Sequence, residues 1–319
     1  KARALRDVVP AGALPEQPAV EFAFTESKVF AFVLPRPRVV TIAATPAEVA
    51  ALADRFAREL AERNLAFRTT ARQLHDLLIA PLGLPATQRL VIVPDRELWR
   101  VPFAALIDGR DRYLVESTAI ILSPSLRLGS GSARYTSLFA AGNLPDSARE
   151  LREIGALYPR AVLQDGATEG EVKAHIGEAD VIHIAAHGIF DDSAPLNSHL
   201  VLRDGELTAR ELMEMHLSAS LVVLSACETA AGRIAPGEGI IGMTWALFLA
   251  GCPTVVATEW KIESASATRL VVALHRNLVA RARPPADALR EAQLELMREP
   301  RWSHPFYWAG FVVVSANAR

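Results

Sequence analysis

A histidine and a cysteine each follow a short apolar run in the carboxyl-terminal half of the chain. His187 closes residues 180–187 (DVIHIAAH), and Cys227 closes residues 221–227 (LVVLSAC). Apolar, partly β-branched runs of this length, bounded by turn residues, are typical of buried strands in an α/β sheet. Ligands bind beyond the carboxyl ends of parallel strands, so we expect both side chains at one crevice. An imidazole that accepts a thiol proton and passes it to a leaving amine suffices for thiolate catalysis, so the pair predicts a cysteine peptidase.

The composition is that of a globular protein of ordinary charge. The 319 residues are 50% hydrophobic and carry a net charge of −2, which gives no overall basic surface for nucleic acid. No apolar run is long enough to span a membrane, and no signal peptide precedes the first predicted strand. Two cysteines are too few for a disulfide framework and indicate a reducing compartment. From the charge, the apolar runs and the cysteine count together, we expect a cytoplasmic protein without nucleic-acid or membrane partners. The first residue is Lys rather than Met, and we expect residues 1–19 to be a linker or the severed end of an upstream region.

The amino-terminal half predicts a strand meander followed by helices. Residues 20–44 contain three runs of strand character separated by turns. Thr45 as N-cap and Pro46 at the first helical position then start a helix that reaches about residue 63. The other predicted elements of this half are a helix at about 69–79 and buried strands at 90–93 and 118–122. This half has no Cys–His pair of its own.

The carboxyl-terminal half predicts alternating strands and helices. It begins after residues 128–132 (LGSGS), whose Gly and Ser resist ordering and predict a linker. The predicted strands lie at 137–141, 180–187, 221–227, 254–257 and 307–314, and the predicted helices at 147–158, 169–176, 208–214, 239–250, 264–280 and 285–298. Strands that alternate with helices favour a mostly parallel sheet.

Several motifs carry a family resemblance that spans nearly the whole chain from Glu21 onward. In chain order they are residues 90–95 (LVIVPD), 101–106 (VPFAAL), 181–188 (VIHIAAHG), 224–230 (LSACETA), 237–242 (GEGIIG) and 304–312 (HPFYWAGFV). Together, in this order, they resemble the CHAT domain family. CHAT domains are caspase-like peptidase domains that usually lie next to tetratricopeptide repeats.

The CHAT resemblance implies an α/β fold with a caspase-like, mostly parallel sheet flanked by helices, preceded by a catalytically silent caspase-like half. The silent half is expected at residues 20–127, a linker at 128–136 and the catalytic half at 137–319. The resemblance also implies a peptidase that requires no metal or organic cofactor. Regulation by upstream tetratricopeptide repeats or a partner protein is expected, often in prokaryotic signalling or defence.

The resemblance also assigns roles to the residues at the two strand ends. Cys227 is expected to attack the scissile carbonyl of a protein substrate as the thiolate, while His187 accepts its proton and later protonates the leaving amine. The backbone N–H groups of Gly188 and Cys227 are the candidate oxyanion hole. No obligatory third carboxylate is expected, because a Cys–His pair needs less orientation than a Ser–His pair.

The residues around Trp260 bear on which substrate side chain would be accepted. Relatives that cut after basic residues, such as separase, place an acidic side chain four positions after a Trp, but the matching residue here is Ser264. Glu263 could substitute, although neighbouring strand residues point to opposite faces. We therefore predict an uncharged or hydrophobic P1 side chain in a pocket lined by Trp260. Asn143 and Glu228 are further candidate substrate-binding residues, although a strand-end turn explains Asn143 equally well.

Three further features favour structural explanations. His183 lies about 13 Å along the strand from His187, too far for a shared metal ion, and is expected to be a satisfied interior histidine. Cys252 opens a buried strand and is expected to be structural. Residues 237–242 lack the Gly-Lys-Ser/Thr ending of a phosphate-binding loop, which argues against nucleotide binding. Their glycines are expected instead to let a helix pack tightly behind Cys227.

Two alternatives compete with an active peptidase. One is an interaction or scaffold module whose Cys227–His187 pair is latent or inactive until a partner binds. Alkylation of Cys227 compared with Cys252, with and without partners, separates this module from a peptidase. The other is a non-proteolytic α/β hydrolase, which is disfavoured because no Gly-x-Ser-x-Gly motif occupies a strand-to-helix turn.

Overall fold

The computed structural model describes residues 17–84, 87–126, 135–144, 147–191, 194–225, 227–228 and 238–316. These residues form two compact units. Unit 1 contains the described residues before position 131 together with 315–316, and unit 2 contains those from 135 to 314. The division between 131 and 132, most of the predicted linker at 128–136 and residues 1–16 of the predicted amino-terminal linker lie outside the described residues.

The described part of unit 1 begins with three antiparallel strands, β1 (Ala19–Phe24), β2 (Val29–Leu34) and β3 (Arg38–Thr41). Strand β1 also pairs in parallel with β4 (Arg89–Val93), which pairs in parallel with β5 (Ala119–Leu122). The strand order is therefore β3-β2-β1-β4-β5. The predicted meander and both predicted buried strands are confirmed.

Helix α1 (Pro46–Ala61) starts where the sequence predicted it, and α2 (Phe67–Leu78) follows close to its predicted position. The Thr45 hydroxyl accepts from the backbone N–H of Glu48, and the Glu48 carboxylate accepts from the backbone N–H of Thr45 at 2.7 Å. This capping box satisfies two N–H groups that a helix start otherwise leaves unpaired. Short 3-10 helices lie at Ala80–Leu82, Arg96–Arg100, Phe103–Ala105 and Leu114–Glu116.

Unit 2 alternates strands with helices over its described residues. The strands are β6 (Ser137–Gly142), β7 (Arg160–Asp165), β8 (Val181–Ala185), β9 (His187–Ile189), β10 (His199–Val201), β11 (Glu206–Thr208), β12 (Leu221–Leu224), β13 (Cys227–Glu228), β14 (Thr254–Thr258) and β15 (Phe311–Ser315). The helices are α3 (Ser147–Gly155), α4 (Glu169–His175), α5 (Ala209–Met213), α6 (Glu238–Leu249), α7 (Ser264–Ala280) and α8 (Pro285–Met297). The main sheet has the order β15-β14-β12-β8-β6-β7, and the pairs β7–β6, β6–β8, β8–β12 and β12–β14 are parallel. The predicted mostly parallel sheet is confirmed.

Helices cover both faces of this main sheet. On one face α4, α5 and α6 enclose an apolar core together with Ile182, Val222 and Val255 of the central strands. On the other face α3 packs against α7, and His183 of β8 hydrogen-bonds with side chains of both helices. Because adjacent strand residues point to opposite faces, Ile182 and His183 meet different helices.

A small second sheet follows the carboxyl ends of β8 and β12. Its order is β11-β10-β9-β13, with β9 and β13 parallel and the other pairs antiparallel. The sequence predicted that His187 ends the β8 strand and that Cys227 ends the β12 strand, and both predictions are wrong. Strand β8 ends at Ala185 and β12 at Leu224, whereas His187 and Cys227 begin β9 and β13. Strands of two or three residues carry no periodic pattern, and only pairing with distant residues defines them.

Other differences from the predicted elements have local causes. Strand β7 was not predicted because its apolar run is only three residues long, Ala161–Leu163, and its side chains are mostly exposed. The last strand was predicted to begin at residue 307 but begins at Phe311, because Pro305–Tyr307 form a 3-10 helix. In that helix the His304 side chain accepts from the backbone N–H of Phe306. Among the described helices none combines the length and apolarity that crossing a bilayer requires.

Candidate active site

The second sheet places the backbones of His187 and Cys227 side by side. The two residues are register partners in the parallel strands β9 and β13, and Gly188 is the register partner of Glu228. Neighbouring strands lie about 4.8 Å apart, a spacing that side chains of register partners commonly bridge. Four residues predicted for the site therefore meet at one short ladder.

The imidazole of His187 is half-buried at this ladder. Its Nδ1 atom is buried and has no hydrogen-bond partner among the described residues. A buried polar atom without a partner costs about 1–3 kcal/mol, so such atoms are rare unless they have a use. A ring nitrogen in this state can accept a proton or a hydrogen bond, which is what a general base requires.

Asn143, which follows β6, joins the main sheet to the second sheet. Its backbone N–H donates to the carbonyl of Ala185 at 2.9 Å, and its Nδ2 donates to the carbonyl of Val201 at 3.3 Å. Val201 is in turn the register partner of His187. Asn143 thus fixes the strand next to His187, and its predicted contact with substrate stays a prediction.

A buried carboxylate, Glu150 of α3, joins both strands that lead to the ladder. It accepts hydrogen bonds from His183 Nε2 at 2.9 Å, from Thr268 Oγ1 at 2.6 Å and from Ser225. Burial opposes its ionisation, but the hydrogen bonds, first of all that from His183, hold the pKa of Glu150 below its usual value. The group is therefore an ionised carboxylate at neutral pH.

The hydrogen bonds continue from this carboxylate through two histidines. His183 Nε2 donates to Glu150, His183 Nδ1 lies 3.2 Å from His275 Nε2, and His275 Nδ1 lies 2.7 Å from the Tyr158 hydroxyl. Burial, together with the neighbouring His183, keeps the pKa of His275 well below its usual value, which agrees with a neutral ring. His183 has partners for both ring nitrogens and is 0% exposed, so it is the interior histidine that the sequence predicted.

The residues predicted to read the substrate side chain lie beyond β14. Trp260 is buried, donates from Nε1 to the Phe306 carbonyl at 3.0 Å and packs so closely on Gly310 that an added Cβ would lie 2.8 Å from its ring. The assumption that Glu263 and Ser264 are strand residues is wrong, because Glu263 is the N-cap of α7 and Ser264 its first residue. Their opposite orientations therefore do not follow from strand alternation. The role of all three in substrate binding stays a prediction.

Ser264 lines a cavity of about 500 Å³ at the start of α7. The other lining residues come from α3, α7 and the segment after α8, and they are Arg149, Glu153, Ala265, Thr268, Arg269, Glu299, Arg301 and Trp302. Most are polar or charged. Glu263, next to the cavity, accepts from Trp302 Nε1 at 2.9 Å. The predicted uncharged or hydrophobic P1 side chain stays a prediction.

Glu259, directly after β14, is a buried carboxyl group of a different kind. It is 5% exposed, and neither of its carboxyl oxygens has a hydrogen-bond partner among the described residues. Burial raises the pKa of Glu259 well above 4.5, because the buried position disfavours the charged form. The unfolded chain, in contrast, holds an ordinary carboxylate that ionises near 4.5.

We expect Glu259→Gln to stabilise the protein increasingly as the pH rises. The raised folded-state pKa means that the contribution of Glu259 to stability is fully present below about 4.5 and is lost as the pH rises through the folded value. Over that range each pH unit costs the native protein about 1.4 kcal/mol that the glutamine variant does not lose. Urea unfolding at pH 5 and pH 8 measures the difference. The exposed Glu178, changed to glutamine, is the control, and a gain for Glu259→Gln that is equal at both pH values would contradict the assignment.

Sequence reasoning missed Glu150 and Glu259, although each carries a signal. The buried residues of α3 include Ser147, Leu151 and Ile154, and Glu150 belongs to the same helical stripe. Glu259 continues the apolar run of β14 into Trp260. A single charged residue inside an apolar pattern is the sign of a buried carboxyl group with a specific environment.

The second cysteine, Cys252, is a buried structural thiol as predicted. It is 0% exposed, donates from Sγ to the Thr254 carbonyl at 3.2 Å, and burial raises its pKa to about 12. It will therefore react with alkylating reagents far more slowly than an accessible thiol. Within the described residues no three His, Cys, Asp or Glu side chains lie close enough to hold a metal ion.

The segment after Cys227 and Glu228 is only partly described. Residues 229–237 lie outside the described residues, so the predicted packing of the glycines at 237–242 can be followed only from 238 onward. There Gly242 of α6 lies against Pro195, where an added Cβ would approach the proline Cβ to 2.6 Å. This glycine is needed for close packing against the segment after β9.

Residues 68–316 match the model of the CHAT domain family. The chain is 25% identical to mouse (Mus musculus) tetratricopeptide repeat protein 28 over 81% of its length, and 24% identical to the human (Homo sapiens) protein of that name over 78%. The matched regions are 14% and 13% of those two proteins, so the chain spans less than a fifth of the length of these curated relatives.

Solved structures of similar fold include two of Saccharomyces cerevisiae separase in its complex with securin. One has a TM-score of 0.51 at 14% identity and covers 76% of this chain and 17% of that chain; the other has 0.57 at 10% identity and covers 93% and 30%. The Arg-specific cysteine proteinase gingipain R has a TM-score of 0.50 at 10% identity and covers 84% of this chain and 74% of that chain. At these identities the similarity concerns the fold, and it confirms the predicted caspase-like α/β architecture.

Proposed function

The chain belongs to the CHAT domain family, and from this premise we propose that it is a cysteine endopeptidase that cleaves a protein substrate through Cys227 and His187. The observation that carries the proposal is the register pairing of these two residues in β13 and β9. The buried Nδ1 of His187, which lacks a hydrogen-bond partner within the described part of the chain, and the caspase-like fold support it.

The proposed reaction is cleavage of a peptide bond in which His187 accepts and donates each proton in turn. His187 takes the proton of the Cys227 thiol, and the thiolate attacks the scissile carbonyl carbon. The negative charge on the carbonyl oxygen is stabilised by the backbone N–H groups of Gly188 and Cys227. The imidazolium then protonates the leaving amine, which leaves an acyl-enzyme. His187 next accepts a proton from water, the resulting hydroxide equivalent releases the acid, and the thiol re-forms.

Regulation by attached repeats or by a partner protein is part of the proposal. The curated relatives are named as tetratricopeptide repeat proteins, and separase is seen in complex with securin. A protein substrate and a controlling protein surface therefore fit this chain better than a small-molecule substrate. The proposed setting is cytoplasmic and prokaryotic, in signalling or defence.

Co-expression with proteins encoded nearby tests the peptidase. Native chain is expected to produce a new fragment of one such protein, and Cys227→Ala is expected to produce none. Cys252→Ala is the matched control, because that thiol is buried and structural, and it should cleave like the native chain. Fragments that persist with Cys227→Ala would refute the assignment.

The competing function is a latent or inactive interaction module. Iodoacetamide labelling distinguishes it, since Cys252 has a pKa of about 12 and serves as an internal unreactive standard. A peptidase should label at Cys227 far faster than at Cys252. Equal inertness of both thiols, with and without candidate partners, would favour the module.

A further inference from the structure

Ser225 lies between the end of β12 and Cys227 and is held on both sides. Its backbone N–H donates to the carbonyl of Ile184 in β8 at 2.9 Å, and its side chain donates to Glu150. It is 5% exposed. Cys227 follows two residues later in the chain. The contact with Glu150 therefore fixes the backbone at Ser225, close in sequence to the proposed nucleophile.

The same carboxylate also holds the strand that leads to His187. Glu150 accepts from His183 Nε2 at 2.9 Å, and His183 precedes His187 by four residues in the chain. Thr268 Oγ1 donates to the second carboxylate oxygen at 2.6 Å and ties the group to α7. The Glu150 side chain of α3 thus connects β8, the residue that follows β12, and α7.

The titratable groups near Glu150 lie on the elements that pack against it. His183 of β8 contacts Glu150 directly, and His275 of α7 contacts His183. The neutral Ser225, which follows β12, also contacts Glu150. No Arg or Lys among the described residues forms an ion pair with it. Farther out, exposed ion pairs join Arg149 of α3 to Glu153, and Arg269 of α7 to Glu295 and Glu299.

We propose that Glu150 is a positioning residue for the Cys227–His187 pair, and that it acts by tying the chain before Cys227, through Ser225, to the strand before His187, through His183. The proposal rests on the proposed function. Both strand ends must keep a fixed separation for thiol and imidazole to stay in hydrogen-bond reach. Glu150 and Ser225 are each only 5% exposed, and in this proposal they act through the separation and not by contact with substrate.

The test is the pH dependence of Cys227 alkylation, measured by peptide mass spectrometry on the whole chain. An imidazole in reach lowers the midpoint of this profile below the value of about 8.5 for an ordinary cysteine. Ser225→Ala removes the tie, and we expect its midpoint to rise by about one pH unit, a tenfold loss of rate below the midpoint. Glu150→Ala is expected to raise it at least as far.

Two matched variants separate positioning from general destabilisation. Tyr158→Phe also deletes one buried hydroxyl from the same hydrogen-bond chain, but at its far end, and should leave the midpoint unchanged. Glu150→Gln keeps an oxygen for His183 and an amide for the hydroxyl groups, and should retain the low midpoint. Ser225→Ala remains informative if Glu150→Ala fails to fold.

Equal shifts for Ser225→Ala and Tyr158→Phe, or no shift for Ser225→Ala, would overturn the positioning role. A shift for Glu150→Gln as large as that for Glu150→Ala would assign the effect to charge and would also overturn it. Failure of the proposed function has a separate sign. In that case the native chain itself has a midpoint near 8.5 that His187→Ala does not change.

Discussion

Replacing His187 with alanine is expected to move the alkylation midpoint of Cys227 to about 8.5 and to slow substrate cleavage by roughly 10²–10⁴-fold. The reason is that His187, the register partner of Cys227 in the β9–β13 ladder, is proposed to supply both the base that makes the thiolate and the acid that protonates the leaving amine. The alkylation profile requires no known substrate, so it can be measured first. Cleavage of a co-expressed substrate then gives the second readout.

His199 provides a matched control for this experiment. It lies in the same small sheet, on β10, where it is the register partner of Ile189. Its ring is close to the Glu206 carboxylate, at 3.3 Å, on the side away from β13. His199→Ala should therefore keep the native profile. Identical profiles for His187→Ala and the native chain would show that Cys227 is an ordinary thiol.

Replacing Glu150 with alanine is expected to lower the free energy of unfolding by roughly 3–5 kcal/mol, the range seen when one member of a buried charged hydrogen-bond group is removed. The loss is large because His183, Thr268 and Ser225 all donate to this carboxylate and would lose their acceptor in a buried place. Chemical denaturation at pH 7 measures it. Glu153→Ala, on the same helix, is the control, because its exposed pair with Arg149 contributes about 1 kcal/mol at most.

The pH dependence of this difference has a defined sign. The pKa of Glu150 is lowered in the folded protein, so its contribution is present above the unfolded value of 4.5 and is lost as the pH falls through the folded value. The gap in stability between native chain and Glu150→Ala should therefore shrink in acid. A gap that grows below pH 4.5 would mean that the buried group is protonated. Glu259, whose pKa is raised, should show the opposite trend.

Local sequence patterns were sufficient to predict those helices and strands whose formation depends on residues close together in the chain. The capping box of Thr45 and Glu48 is a four-residue pattern, and α1 begins at its predicted start. Helix α7 begins and ends at the predicted residues 264 and 280. The central strands were found because their side chains are buried on both faces and so form continuous apolar runs.

The site itself depends on contacts that no local pattern carries. The rule that ligands bind at the carboxyl ends of parallel strands predicted that His187 and Cys227 would be near each other. Applying this rule requires only the order of the strands in the sheet. The break at Ala186 and the short strands β9 and β13 arise from pairing across about forty residues of sequence. Glu150 is likewise separated from His183 by 33 positions and from Thr268 by 118. Such partners emerge only once the helices are packed.

Strand β13 is only two residues long, and its ladder with β9 comprises the pairs Cys227–His187 and Glu228–Gly188. A ladder this short is not stable by itself in water, so its formation depends on the elements around it. We expect the chain to interconvert between a conformation with the ladder formed and one without it. A binding protein that prefers the made form by about 1.4 kcal/mol multiplies the ratio of the two tenfold. Control of the proposed peptidase by another protein would then need only a modest bias on two backbone pairs and no large rearrangement.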